Sequence, residues 1–257
     1  MPMTWSDGLP AGSAARLTAL AGRYGLSDRA LARLRALVEL LIDDPLAPTA
    51  IRDPDRVIDD HLADSLVALE LEPVRRARQA VDLGSGAGLP GLALAAALPE
   101  AQFVLLESAA RKCAFLTQAA GVCRIPNVEV IHERAESWRA GLGSNDLVTA
   151  RALAPLAVVA EYAAPLLRVG GALVAWRGRR DPEAEAAAAR AAVELGLASG
   201  DIRPVHPYDG ADNRNLYLTF KVMQTPSGFP RRPGMALKRP LGSPPAAPDA
   251  SSDRVRR

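Results

Sequence analysis

The sequence predicts an α/β protein, a doubly wound and mostly parallel sheet preceded by a helical cap. Short apolar segments alternate with helical segments from residue 79 onward, which is typical of a parallel sheet covered by helices. A glycine-rich turn follows the first apolar segment, at residues 84–91. Segments with apolar residues at helical spacing come before it. Such a sheet binds ligands outside the carboxyl ends of its strands.

The N-terminal cap is predicted over residues 13–72, after a flexible N-terminus at 1–12. Ser13 and Ser27 are candidate caps of two amphipathic helices, because a serine hydroxyl can accept a hydrogen bond from an amide of the first turn. Asp53 followed by Pro54 predicts the start of a third helix. Its apolar face is formed by Ile58, Leu62, Leu66 and Leu69.

The domain that contains the sheet is predicted over residues 73–224. Its first five strands are expected at 80–83, 103–106, 128–131, 147–150 and 172–176. Asp181 and Pro182 then start an alanine-rich helix that Gly196 ends. Two further strands, at 202–206 and 216–222, would complete the sheet as an antiparallel pair.

Residues 225–257 form a basic and largely disordered tail in this prediction, because Pro, Gly, Ser and Arg dominate there, and the disorder is expected after about Leu241. Its basic side chains are either solvated or form contacts to the phosphates of a nucleic acid, for which guanidinium groups are well matched. The candidate RNA-binding residues are Arg231, Arg232, Lys238 and Arg239.

Composition excludes several classes of protein. The 257 residues are 49% hydrophobic, enough for one large domain, and the net charge of +2 does not indicate a polyanion-binding protein as a whole. Cys113 and Cys123 have neither metal-ligand nor redox-motif spacing, so two reduced thiols and no metal site are expected. Without an apolar run of membrane-spanning length or a signal peptide, we expect a soluble cytoplasmic protein, without a membrane partner and monomeric.

The glycine-rich turn is the strongest functional signal. Its glycines allow the backbone to approach a ligand closely and to adopt positive φ; they are Gly84, Gly86, Gly88 and Gly91. Glu107 ends the next strand, where an acid can hold ribose hydroxyls. Asp82 precedes the turn and would repel a pyrophosphate while attracting an ammonium or sulfonium group. The pattern Asp-x-Gly-x-Gly-x-Gly therefore resembles class I S-adenosylmethionine-dependent methyltransferases, which have a Rossmann-like sheet.

Longer motifs resemble the bacterial ribosomal RNA small-subunit methyltransferase G family, also called glucose-inhibited division protein B. The resemblance covers roughly residues 49–239, and its most specific parts lie at 50–54, 61–66, 84–91, 134–136, 150–152 and 230–234. It implies a methyl transfer from S-adenosylmethionine to N7 of a guanine in 16S rRNA, with the rRNA or the small ribosomal subunit as partner.

The resemblance also implies site residues. The family's cofactor contacts fall on Gly84, Leu89, Ala135, Glu136 and Arg151. Ala135 and Glu136 would bracket the adenine, and Arg151 would pair with the methionine carboxylate or with guanine O6. His61, Asp64 and Arg177 are positioning candidates, and Arg177 stands where the family has lysine.

The residues fit this chemistry because guanine N7 carries no proton, so the transfer needs alignment and desolvation but no general base. No nucleophile and base are paired in the sequence, and no catalytic residue is assigned. Three other functions remain open: an NAD-dependent oxidoreductase, a small-molecule methyltransferase and a non-catalytic RNA-binding protein. The oxidoreductase shares the glycine turn and Glu107, but Asp82 argues against it.

Overall fold

The computed structural model describes residues 8–242 of the chain. The expectations for residues 1–7 and for 243–257 lie outside the described residues. Within the described part no helix combines the length and the apolar character that crossing a bilayer requires.

A seven-stranded sheet forms the centre of the protein, with the strand order β3-β2-β1-β4-β5-β7-β6. The first five strands are parallel, whereas β7 is antiparallel to both β5 and β6. The strands are β1 (Gln79–Leu83), β2 (Gln102–Glu107), β3 (Val128–His132), β4 (Asn145–Arg151), β5 (Leu167–Arg177), β6 (Asp201–Pro204) and β7 (Asn215–Phe220). The predicted doubly wound fold is confirmed, and the order of strands reverses between β1 and β4.

Ten α-helical segments flank or precede the sheet in the described residues. They are α1 (Ala11–Arg23), α2 (Asp28–Asp43), α3 (Pro54–Arg56), α4 (Asp64–Leu66), α5 (Glu72–Arg75), α6 (Gly91–Ala97), α7 (Ala110–Val122), α8 (Leu156–Ala163), α9 (Pro182–Leu195) and α10 (Met235–Lys238). The helices before β1 pack with α6 and α7 on one face of the sheet, and α8, α9 and α10 cover the other face.

Three of the predicted helix ends are confirmed. Ser27 accepts a hydrogen bond from the Ala30 amide at the start of α2. The Asp181 side chain caps α9, and Gly196 ends that helix in the left-handed conformation. These ends were predictable because side-chain caps and left-handed glycines act locally.

The predicted cap at Ser13 is wrong. Helix α1 begins at Ala11 after Pro10, two residues earlier, without a side-chain cap. Ser13 is buried inside the helix, and its hydroxyl donates to Asp55 Oδ1 at 2.6 Å. The serine therefore joins α1 to the third helical segment of the cap, which sequence spacing alone could not reveal.

The third helical segment begins at Pro54 as predicted, with Asp53 accepting from the Arg56 amide. It is not a uniform α-helix, because a π-helix (Val57–Ala63) lies between α3 and α4 and a 3₁₀-helix (Val67–Glu70) follows. The predicted apolar face is nevertheless buried in full, at Ile58, Leu62, Leu66 and Leu69. Single π-turns within helices often mark functional sites.

The tail is ordered from residue 225 as far as Gly242. The disorder expected after about Leu241 falls almost entirely on residues outside the described part of the chain. Helix α10 packs on α8, and Ala236 within it is fully buried. Phe229 and Leu241 pack against the same core. A few apolar residues among many prolines and arginines are therefore enough to hold this segment on the domain.

Gly91 provides a test of how tightly the glycine turn is packed. A Cβ at Gly91 would lie 2.8 Å from Asp82 Oδ2 and 2.9 Å from Asp82 Cβ. We expect Gly91→Ala to lower the free energy of unfolding by about 1–3 kcal/mol through overpacking, measured by urea denaturation.

Gly121→Ala is the matched control, because Gly121 is also helical but has no atom within 4 Å of an added Cβ. This variant should be as stable as the native chain or slightly more stable, since alanine favours helix. Equal stability changes for the two variants would contradict the close packing described here.

Candidate functional site

A cavity of about 140 Å³ lies at the carboxyl ends of β1, β2, β3 and β4, where the fold predicts a ligand. Its lining combines the glycine turn with loops that follow the strands, and consists of Leu83, Gly84, Leu106, Ser108, Glu133, Arg134, Ala135, Glu136, Leu153, Ala154, Tyr162 and Leu237. Three of the predicted cofactor residues, Gly84, Ala135 and Glu136, are thus brought together in one place.

The turn requires glycine at Gly84. Its φ is +64°, and an added Cβ would lie 2.5 Å from Leu153 Cδ1. Leu153 follows β4 and was not predicted as a site residue, but its side chain lies against the turn and is part of the cavity wall. The absence of a side chain at Gly84 therefore keeps open the space between these two loops.

Glu107 holds the turn from the neighbouring strand. Its carboxylate is buried, with Oε2 accepting from the Gly86 amide at 3.1 Å. Oε1 accepts from the amides of Ser108 and Ala109 at 2.8 and 2.9 Å. Glu107 thus ends β2 as predicted and fixes Gly86, while its contact with a ribose stays a prediction.

Asp82 is tied into the sheet by hydrogen bonds. It has no exposed surface, and its interaction with a cationic ligand stays a prediction. Thr149 donates to its Oδ1 at 2.8 Å, and the Gly91 amide donates to its Oδ2 at 3.2 Å. Burial raises the pKa of Asp82 to about 6, although these donors favour the charged form. The carboxylate therefore links β4 to the start of α6.

Leu89 also lies below the cavity. Its side chain is buried in the core beneath the turn and does not line the cavity. The apolar side chain of Leu89 therefore contributes to core packing, and its cofactor contact stays a prediction.

Glu136 is buried at the cavity wall and is already in use on one side. Its Oε1 accepts from the amide of Gly234 at 2.9 Å. Oε2 has no protein donor among the hydrogen bonds of the described residues. The carboxylate therefore holds the C-terminal segment with one oxygen, while the other has no protein donor among the described residues.

Arg151 ends β4 and faces the N-terminal cap. It forms an ion pair with Asp64 at 3.0 Å, which a second arginine, Arg214, approaches at 3.5 Å. Burial raises the pKa of the Asp64 carboxyl, and Arg151 opposes this rise. The indole of Trp176 donates to the backbone oxygen of Asp64 at 2.6 Å. Two arginines and one tryptophan therefore fix Asp64 where the cap meets the sheet.

His61 lies half-buried in the π-helix, one turn before Asp64. Its Nε2 is 2.8 Å from Thr49 Oγ1. Burial is the main cause that lowers the pKa of His61 to about 4, and the positive charge of Arg151 adds to it. The imidazole is therefore neutral near neutral pH, in keeping with a positioning role for His61.

Arg177 ends β5 beside the cavity. Its guanidinium donates to the backbone oxygen of Ala154, a cavity residue, at 3.3 Å. Arg177 thus lies at the rim with its side chain half-buried, as its place at a strand end predicts.

The four basic residues of the tail divide into two groups. Arg231 forms an ion pair with Glu161, so the phosphate contact expected for it is replaced by a structural role. The remaining three, Arg232, Lys238 and Arg239, are exposed. The sequence could not identify the partner of Arg231, because Glu161 precedes it by 70 residues and lies on another element.

The cysteines offer no nucleophile to this cavity. Both are free thiols with buried side chains, and burial raises the pKa of Cys123 to about 12 and that of Cys113 above its usual value. Among the described residues no group of three His, Cys, Asp or Glu side chains is placed to hold a metal ion. Neither cysteine lines the cavity, whose side chains are placed to bind and orient a ligand.

Comparisons with known proteins agree with this geometry. The solved structure of an S-adenosylmethionine-dependent methyltransferase from Aquifex aeolicus matches the fold with a TM-score of 0.51 at 17% identity, over 65% of this chain and 94% of that one. This likeness confirms the Rossmann-like fold class.

Sequence relatives are much closer. A protein of Chloroflexus aggregans named ribosomal RNA small subunit methyltransferase G is 41% identical over 80% of this chain and 88% of its own length. A Moorella thermoacetica protein of the same name is 36% identical over 84% and 92% of the two chains. The family model described as rRNA small subunit methyltransferase G matches residues 29–200. The chain belongs to the ribosomal RNA small subunit methyltransferase G family.

Proposed function

We propose that the protein transfers the methyl group of S-adenosylmethionine to N7 of a guanine in 16S rRNA. The observation that carries this proposal is the cavity at the carboxyl ends of β1, β2, β3 and β4, lined by Gly84 and Glu136 and free of any nucleophile and base pair. The relatives' printed name supports ribosomal RNA as the substrate.

The residues present fit the cofactor. Glu136 keeps one carboxylate oxygen for the adenine amino group, and Ala135 lines the cavity next to it. Gly84 leaves room for the amino acid and ribose portion of the cofactor to lie across the end of β1. Glu107 is the candidate acceptor for the ribose hydroxyls, which would replace the loop amide that now donates to its carboxylate. S-adenosylmethionine itself supplies an electrophilic methyl group on a sulfonium.

The protein's own residues act by positioning. Because guanine N7 has an in-plane lone pair and no proton, the reaction requires no base. Arg151 is held at the end of β4 by Asp64, from where its fork is suited to guanine O6 or to the methionine carboxylate. Arg177 at the rim is suited to a phosphate of the RNA.

The exposed basic residues at 232, 238 and 239 supply the contacts to the RNA backbone in this proposal. A small-molecule methyltransferase would leave these charges beside the cavity without a purpose. We further propose that the protein acts as a monomer in the cytoplasm, on rRNA within the small subunit or on the free RNA.

The direct test is methyl transfer from labelled S-adenosylmethionine to small subunits from cells that lack this protein. We expect one methylated guanine in 16S rRNA, mapped by cleavage specific for 7-methylguanine. Transfer to another base, or none, would contradict the proposal.

A substitution in the glycine turn tests the cofactor site. We expect Gly84→Ala to lose at least tenfold in affinity for S-adenosylhomocysteine by calorimetry, because the new methyl group drives Leu153 into the cavity. Gly143→Ala is a matched control: Gly143 has the same φ of +64° but no atom within 4 Å of an added Cβ. It should lose stability from backbone strain while binding normally. Equal affinities for the two variants would refute the placement of the cofactor.

The basic surface is tested by its salt dependence. We expect the triple change of Arg232, Lys238 and Arg239 to Ala to weaken binding of small-subunit RNA and to lower the slope of log K against log salt by about 0.7–0.9 for each lost phosphate contact. A charge-matched control removes Arg29, Arg33 and Arg124, which lie together around another groove. If both triple variants lowered the slope equally, the tail would have no special role in RNA binding.

His61 has a predictable pH dependence. Its pKa is lowered from 6.5 to about 4 in the folded state, so the unfolded chain takes up a proton first as the pH falls. The stability of the folded protein with a neutral, buried His61 is therefore fully present above pH 6.5. It is lost as the pH falls from 6.5 towards 4, because protonation of His61 then favours the unfolded chain. We expect His61→Gln to reduce this loss in urea denaturation, and the His61 ring signals to titrate near pH 4 in NMR spectra. A His61 midpoint near 6.5 would contradict the buried, Thr49-bonded geometry.

A further inference from the structure

The last described part of the chain, residues 229–242, runs across α8 and the cavity, and we call it the C-terminal strap. It is held at both ends. Phe229 and Leu241 pack against the core of the sheet. The backbone oxygen of Gly242 accepts from Arg190 Nε on α9 at 2.7 Å.

A buried ion pair fixes the strap near its start. Glu161 on α8 has a side chain that is only 2% exposed, and Arg231 lies against it. Arg231 Nε donates to Glu161 Oε1 at 2.6 Å, and Nη2 donates to the other carboxylate oxygen. Nη2 also donates to the backbone oxygen of Arg239 at 2.9 Å, which closes the strap on itself. Two parallel charge-assisted bonds of this kind fix orientation as well as distance.

The inner side of the strap is part of the candidate cofactor cavity. Leu237 lines it directly, although its side chain is 55% exposed overall. Gly234 donates its amide to Glu136, the cavity carboxylate with a free second oxygen. A ligand in the cavity would therefore contact the strap through Leu237 and would share Glu136 with Gly234.

The outer side of the same strap carries exposed positive charge. Arg232 precedes Gly234 by two residues, and Lys238 and Arg239 follow Leu237 immediately. A polyanion on these side chains and a ligand in the cavity would thus both contact one short segment. Ordering of such a segment by one ligand lowers the entropic cost of binding the other.

We propose that the C-terminal strap completes the wall of the cofactor cavity and couples RNA binding to cofactor binding. The proposal rests on the proposed function, since it takes S-adenosylmethionine and small-subunit RNA as the two ligands. Because coupling between equilibrium affinities is reciprocal, each ligand must tighten the binding of the other by the same factor.

The experiment measures the affinity of the full chain for S-adenosylhomocysteine by calorimetry, with and without small-subunit RNA from cells that lack this protein. For the native chain we expect the RNA to raise this affinity by about 5-fold to 150-fold. Leu237→Ala should weaken the binding of S-adenosylhomocysteine by about threefold to tenfold through lost apolar contact. Glu161→Gln leaves Arg231 without its charge partner, so it should release the strap and reduce the effect of the RNA.

Leu46→Ala is the matched control for Leu237→Ala, since Leu46 is 57% exposed and does not line the cavity. It should bind both ligands as the native chain does. If Glu161→Gln is too unstable to purify, Leu237→Ala still tests the proposal, because the Leu237 change removes no buried group.

The outcomes separate the two proposals. If the native chain and Leu237→Ala bound S-adenosylhomocysteine equally, with or without RNA, the strap would have no part in the cavity while the methyl transfer could stand. An RNA effect that survived unchanged in both strap variants would refute the coupling. If the native chain bound no S-adenosylhomocysteine at all, both proposals would fail together.

Discussion

A single buried carboxylate determines where the candidate site lies. Asp82 is fully enclosed at the end of β1, and its two oxygens accept from Thr149 on β4 and from the amide of Gly91 at the start of α6. A buried carboxylate is costly unless donors surround it, so this arrangement fixes the neighbouring strand and the helix relative to β1. Glu107 performs a similar task for Gly86 from β2. The glycine turn is thus held by acids on two strands before any ligand arrives.

The N-terminal cap is joined to the sheet by charge as well as by apolar packing. Asp64 meets Arg151 from β4 and Arg214 from the approach to β7, and Trp176 of β5 holds its backbone oxygen. An ion cluster of this kind is weak support for stability, because desolvation offsets much of the attraction. Its better-founded effect is on orientation. The π-helix that precedes Asp64 belongs to the same arrangement, and it brings His61 under the influence of the charge on Arg151.

Much of the fold could be predicted because its signals are local. Apolar periodicity located the strands, and Asp53, Asp181 and Gly196 located helix ends. The errors come from contacts between residues that are distant in sequence. Ser13 looked like a cap because no pattern reveals Asp55 as its partner, and Arg231 looked like a phosphate ligand because its partner Glu161 is hidden in an apolar helix. In the candidate site, the residue types at the strand ends were predictable from the sequence. Tertiary packing decides which of these side chains face the cavity, and the sequence pattern does not contain that information.

The strap has a consequence for inhibitor selectivity. A domain of this fold that ended at its seventh strand would leave open the side of the cavity that Leu237 covers here. In this protein Leu237 adds an apolar wall there, although it follows Phe220, the last residue of β7, by 17 residues of sequence. An adenosine analogue that carries a small apolar group towards Leu237 would distinguish this cavity from those of strapless relatives of the fold. A single substitution at Leu237 would remove this contact and would make the protein resistant to such an analogue.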